Sequence, residues 1–176
     1  MSFKPQSVAA LAFLLAGCVT ITVVPGGAGA PGLKVRPWPA SATCATPQAA
    51  SVTAARLLVL LNAERRKAGL GPLTRSAAAT PVAQAYACEI TARRDIGHVG
   101  SDGSTLGERL ARGGISFSLA AENNAEGYTT PEAVMAGWMA SSGHRHNILL
   151  GGVTEVGVGV TGGNYPVWVL DFYAPA

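Results

Sequence analysis

The sequence predicts a single α+β domain, and three observations predict it. Four stretches repeat apolar residues at helical spacing or carry helix caps, a fifth alternates like a strand, and the chain closes on a glycine-centred hairpin. At 176 residues the chain accommodates one domain with a tail rather than two. Charged residues make up 13% of it and the net charge is +3, with no basic cluster beyond pairs such as Arg65-Arg66 and Arg93-Arg94. A nucleic-acid partner is therefore not expected.

Each element has a local reason. From about Ala49, "SVTAARLLVLLNAERRKAGL" reads as an amphipathic helix stopped by the Gly-Leu-Gly-Pro of residues 69–72. A second helix runs from about Ala77 to Arg94, with Val82, Tyr86 and Ile90 on one face. Thr105 and Glu108 form a capping box for a short third helix, which Gly113-Gly114 end. "ISFSLAAEN" (115–123) alternates as a strand. The fourth helix has Thr130 as N-cap, Pro131 at its first position and Gly143 at its end, so that His144 would leave it in a fixed direction. Two strands around Gly162-Gly163-Asn164 complete the domain. Trp138 is assigned to the core, and Gly157 and Gly159 to a close approach by another element. Asn62, Arg65 and Arg109 are candidate ties between helices, and Asn123 and Asn147 candidate backbone binders in turns.

The N-terminus reads differently. One lysine, Lys4, precedes the apolar run "SVAALAFLLAG", and Leu15-Ala16-Gly17-Cys18 resembles the lipobox of bacterial lipoproteins. That assigns residues 1–17 to a signal peptide and Cys18 to lipidation, with residues 18–48 as a Pro/Gly/Ala-rich linker and 49–176 as the domain. The expected location is extracytoplasmic, with the lipid anchor in the cell envelope and the protein a monomer. Setting Cys18 aside leaves Cys44 and Cys88, an even pair in an oxidising compartment. Cys88 falls on the polar face of its helix, so pairing with Cys44 is simpler than an exposed thiol. The bridge would contribute about 4 kcal/mol on the chain-entropy model.

Five pieces in order then point to a family: "LLNAERRKAGLGPL" (60–73), "IGHVGSDGSTLGERL" (96–110), "AAEN" (120–123), "PEAVMAGWMASSGHRHNIL" (131–149) and "TEVGVGV" (154–160). Together they resemble the bacterial branch of the CAP superfamily, the cysteine-rich secretory, antigen 5 and pathogenesis-related proteins with an SCP-like domain. The resemblance implies an α-β-α sandwich, a small central antiparallel sheet flanked by about four helices, with a cleft holding two histidines and two acids. By position His98 takes the first histidine, Glu122 the first acid and His144 the second histidine. Ser141 stands where the second acid would be, three residues after Trp138. His146 is read as exposed and incidental.

Two imidazoles and a carboxylate are also the donor set that holds catalytic zinc with an open position. His98 and His144 are thus candidate ligands for Zn2+ or another divalent cation. Three functions follow, in order of preference. The first is a binding module whose cleft, lined by His98, Glu122, Ser141 and His144, takes a small ligand, lipid, glycan or peptide. The second is a structural envelope lipoprotein with an unused cleft. The third is a peptidase-like metal hydrolase using His98, His144 and Glu122, weakened because Glu122 would have to be ligand or general base but not both. A binding role is favoured over an enzymatic one.

Overall fold

The computed structural model describes Thr20–Val23, Cys44, Pro47 and residues 50–176; Cys18 and Trp38 lie outside them. In chain order the elements are β1 (Thr20–Val23), α1 (Ala50–Lys67), β2 (Thr74–Arg75), α2 (Ala79–Arg93), α3 (Leu106–Arg112), β3 (Phe117–Glu126), α4 (Pro131–Ala140), α5 (Ser142–Ile148), β4 (Glu155–Val160) and β5 (Val167–Pro175). The strands form one sheet in the order β1-β3-β5-β4-β2. All pairs are antiparallel except β2 with β4.

Period-two alternation sorts the strand residues onto two faces. Ala121, Val156, Val158, Trp168, Leu170 and Phe172 meet Leu57 and Leu61 of α1, Trp138 of α4 and Ile148 of α5. On the opposite face Ala120 and Tyr173 meet Ala79 and Val82 of α2 and Leu106 and Leu110 of α3. Val167 and Val169 pack there on Ala83, Tyr86 and Ile90 of α2. The result is the α-β-α sandwich expected from the sequence.

Three features of the sequence reading hold in detail. The Thr105–Glu108 capping box is formed, and Thr130 Oγ1 accepts from the Ala133 amide at the start of α4. Cys44 and Cys88 are joined, stapling the segment before α1 to α2. Arg65 spreads its guanidinium over the carbonyls of Gly71, Ile148, Leu150 and Val153, locking α1 to the turn after α5.

Others are corrected. The helix after Thr130 stops at Ala140, because Ser141 adopts an extended conformation (φ −88°, ψ 122°), and a separate helix, α5, begins at Ser142. Gly143 and His144 therefore lie inside α5, and the helices number five rather than about four among the described residues. The end of α2 falls where the sequence puts it, with Arg94 as a left-handed cap (φ 53°) whose amide donates to Ile90 O. The segment read as linker contains β1, and the two-residue β2 has no periodicity by which to be found.

β1 covers the outer edge of β3 from Leu119 to Glu122. Farther along that edge side chains take over: Asn147 Nδ2 donates to Glu122 O, and Trp138 Nε1 to Asn124 O. An exposed strand edge invites non-native pairing, and this one is covered from Leu119 to Asn124 by two devices.

Gly157 and Gly159 let α2 lie against β4. A Cβ on Gly159 would sit 2.3 Å from Ala83 O, and one on Gly157 2.5 Å from Ala79 O. Backbone cannot swing aside as a side-chain tip can. Gly159→Ala should therefore cost on the order of 1–3 kcal/mol in urea denaturation, whereas Gly71→Ala, with nothing within 4 Å of the added carbon, should leave the midpoint nearly unchanged.

Candidate functional site

The site grows from one residue of β3. Alternation sends Glu122 toward the α2–α3 side together with Ala120 and Asn124. Its side chain is 0% exposed. An isolated carboxylate there would be prohibitively costly, so its partners define the region. Oε2 accepts from Arg109 Nη2; Oε1 accepts from His98 Nδ1 at 2.6 Å and from Asn124 Nδ2 at 3.1 Å.

Each partner is held in turn. Arg109 projects from α3, whose start is fixed by the capping box. It also donates to the carbonyls of His98 and Ser104 (3.1 and 3.0 Å), and its guanidinium lies 3.6 Å from the centre of the Tyr86 ring. Tyr86 is buried, and burial followed by the Glu122 charge pushes its phenol far above the usual range. The same phenol donates to Gly97 O at 2.9 Å, and Asn124 Nδ2 donates to that carbonyl as well. One turn further, Asp102 accepts from the Ser104 amide and pairs with Arg112 at 2.9 Å each. Its hydrogen bonding to Ser104 is the largest cause holding its carboxyl down at about 2. The loop bearing His98 is thus pinned from α2, α3 and β3 at once.

These contacts fix the imidazole tautomer. A carboxylate only accepts, so the short contact places the proton on His98 Nδ1. Asn124 Nδ2 also lies 3.4 Å from that nitrogen, where it would need Nδ1 as an acceptor. The 2.6 Å contact to a charged partner outweighs the longer one.

Sequence reasoning missed Asp171. It stands directly opposite Glu122 in the β3–β5 register and is 0% exposed. Among the described residues neither of its carboxyl oxygens meets an N–H or O–H donor. Two ionised carboxylates could not share this space. Burial first, and the Glu122 charge second, raise Asp171 well above the ordinary carboxylate range, with Arg109 opposing. A proton kept on Asp171 and shared with Glu122 would leave the pair with one negative charge against Arg109. The signal was an aspartate in the middle of "VWVLDFY", a buried strand on which an acid needs explaining.

His144 reaches the region from the other face. Asn123, which points away from Glu122 along β3, donates from Nδ2 to His144 O, and Asn147 Nδ2 donates to Asn123 Oδ1. His144 is buried and engaged within the protein. Glu122 and Asn123 thus tie His98 and His144 to opposite faces of the same strand. Both asparagines bind backbone as expected, but from a strand and a helix rather than from turns. Ser141 is the joint between α4 and α5, and its side chain caps neither. His146 is exposed. Among the described residues no three His, Cys, Asp or Glu side chains gather as a group that could hold a metal ion. Arg109 and His98 already occupy the Glu122 oxygens, so the carboxylate does not fit the ligand role in a zinc set.

The family model described as "CAP: Cysteine-rich secretory protein family" matches residues 58–172. Bacillus subtilis YkwD is 34% identical over 131 residues, 74% of this chain and 50% of that protein. The membrane protein YlbC of the same organism is 33% identical over 105 residues, 60% of this chain and 30% of its own length. The chain therefore spans half of one curated relative and less than a third of the other. An extracellular SCP-domain protein from Bacillus anthracis superposes with a TM-score of 0.63 at 29% identity, over 68% of this chain and 39% of that one. An outer surface protein of Borrelia burgdorferi shares the fold, with a TM-score of 0.69 at 22% identity over 76% of this chain and 100% of that one.

Two measurements test the carboxylate cluster. Glu122→Gln leaves Arg109 buried without its anion and should cost on the order of 3–5 kcal/mol; Glu122→Gln with Arg109→Met should recover part of that loss in urea denaturation. Asp171 tests the shared proton. Between its unfolded and its raised native pKa the native state holds a proton that the unfolded chain has lost, so stability falls as pH rises, by up to about 1.4 kcal/mol per pH unit. Asp171→Asn keeps a donor toward Glu122 and removes that slope. It should gain stability over the wild type as pH rises from about 4 toward 7, and parallel curves would contradict the shared proton.

Proposed function

Because the chain belongs to the cysteine-rich secretory protein family, we propose that it is an extracytoplasmic binding module rather than a hydrolase. The observation that carries this reading is the burial of Glu122: its oxygens accept from His98, Asn124 and Arg109 at zero exposure. A general base needs a lone pair that can reach a water or substrate proton, and Glu122, at zero exposure with three donors on it, faces no solvent. What its partners supply is a rigid frame that orients the His98 imidazole and the loop on either side of it. Preorganised polar groups at a fixed edge suit recognition of a small polar ligand, lipid headgroup, glycan or peptide.

Placement outside the cytoplasm is supported by the Cys44–Cys88 bridge, which is at home in an oxidising compartment, and by the extracellular and surface relatives. Among the described residues no helix is long and apolar enough to cross a membrane. Attachment is assigned to a diacylglyceryl group on Cys18, on the lipobox-like Leu15-Ala16-Gly17-Cys18.

Binding is tested by imidazole NMR with phospholipid, glycan and peptide probes drawn from a bacterial envelope. A probe bound at the site should shift the His98 signals in the wild type and lose affinity in His98→Gln. If no probe class moves them, the polar network is structural and the binding reading falls.

A further inference from the structure

We infer that Thr20–Val23 is a strap and not part of a free tether, and that it seats the β3 edge and its flanking loops on the headgroup layer of the membrane. The inference rests on the proposed lipidation of Cys18. Its new content comes from register: Thr20 is paired with Glu122, the residue around which the site is built.

Reach decides the geometry. If residues 18–48 were a free linker, the stretch from Cys18 to Cys44 would behave as a coil with an r.m.s. span of about 28 Å, and the domain would face the membrane in any orientation. With β1 in the sheet, only the step from Cys18 to Thr20 lies between anchor and domain, at most about 7 Å of extended chain. The headgroup layer of one leaflet is itself about 5–7 Å thick. The edge of β3 at Glu122 is then held at the lipid surface.

The position of that exit matters as much as its length. The described pairing of β1 ends at Thr20 opposite Glu122, and on β3 Asn147 takes the Glu122 carbonyl and Trp138 the Asn124 carbonyl. Thr20 therefore stands in register with the residue at which the two sides of the site meet. On one side is the loop carrying His98, fixed to Glu122, with exposed Ile96 and with Val99 at 55% exposure. On the other is α5, fixed to Asn123 through His144 O, with Arg145 and His146 exposed. Arg94 and Asp95 complete the exposed charges beside Ile96. Apolar side chains with one net positive charge beside them, Arg94 and Arg145 against Asp95, fit an anionic membrane interface. Two acyl chains supply the affinity; this rim and β1 set the orientation.

The test uses the full lipidated protein in phosphatidylglycerol–phosphatidylethanolamine vesicles. With Cys44 and Cys88 bridged and Cys18 acylated, Val99→Cys introduces one free thiol for a spin label, and Val59→Cys on α1, at 58% exposure, is the control. The label at position 99 should lose its collisions with a water-soluble nickel chelate on vesicle binding, and the label at position 59 should keep them. Inserting about ten Gly/Ser residues between Val19 and Thr20 adds about 17 Å of r.m.s. reach and should restore access at position 99. The same insert between Gly27 and Ala28, downstream of β1, should not. Equal access at both labels, or equal effects of the two inserts, overturns the strap while leaving the anchor intact. Mass spectrometry of the mature N-terminal peptide separates the two ideas, because an unacylated Cys18 removes the anchor and the strap together.

Discussion

The fully buried pair between Arg109 and Glu122 is the constraint on which the rest of the site depends. A carboxylate at the centre of a sandwich exists only if a cation is delivered to it, and α3 is placed to deliver that cation. From this pair the other arrangements follow. His98 and Asn124 must donate because Glu122 can only accept. Tyr86 must remain a phenol because it lies beneath the guanidinium and beside the carboxylate. Asp171, opposite Glu122, is raised well above the ordinary carboxylate range by burial and then by the Glu122 charge, with Arg109 opposing. Replacing the pair by apolar residues could hold the layers together as well, so its presence points to the orientation it imposes on the His98 loop.

Much of this was legible in the sequence, for reasons that differ by element. The long helices announced themselves through periodicity, and α3 and α4 through caps whose chemistry is local: a threonine three residues before a glutamate, or a threonine ahead of a proline. Gly157 and Gly159 were readable because glycine in a strand needs a reason, and the carbonyls of α2 supply it. The family resemblance gave the sandwich; within it His98 meets Glu122, while His144 is tied through Asn123 to the opposite face of β3.

What escaped the sequence was set by tertiary context. Ser141 breaks one helix and starts the next without a proline or a capping side chain, so α4 and α5 read as one helix ended by Gly143. Arg94 takes a left-handed cap that glycine usually occupies, a conformation that no local residue pattern announces. β1 is held by backbone pairing to an edge, and four residues inside a Pro/Gly-rich segment carry no pattern to reveal that. Asp171 became meaningful only when register set it against Glu122. The site also departs from a metal centre in a way that residue types alone could not show, since the carboxylate that would bind a cation is already bound to Arg109.

The central claim is that Glu122 is an ionised anchor that fixes His98 rather than a base or a ligand. Long-range proton–nitrogen correlation of the His98 ring at neutral pH tests it most directly, because the chemical shifts of the two ring nitrogens report which one carries the proton. The account predicts a protonated Nδ1 that loses this preference in Glu122→Gln protein still folded at low temperature. A wild-type ring protonated only at Nε2, with Nδ1 bare, would contradict it.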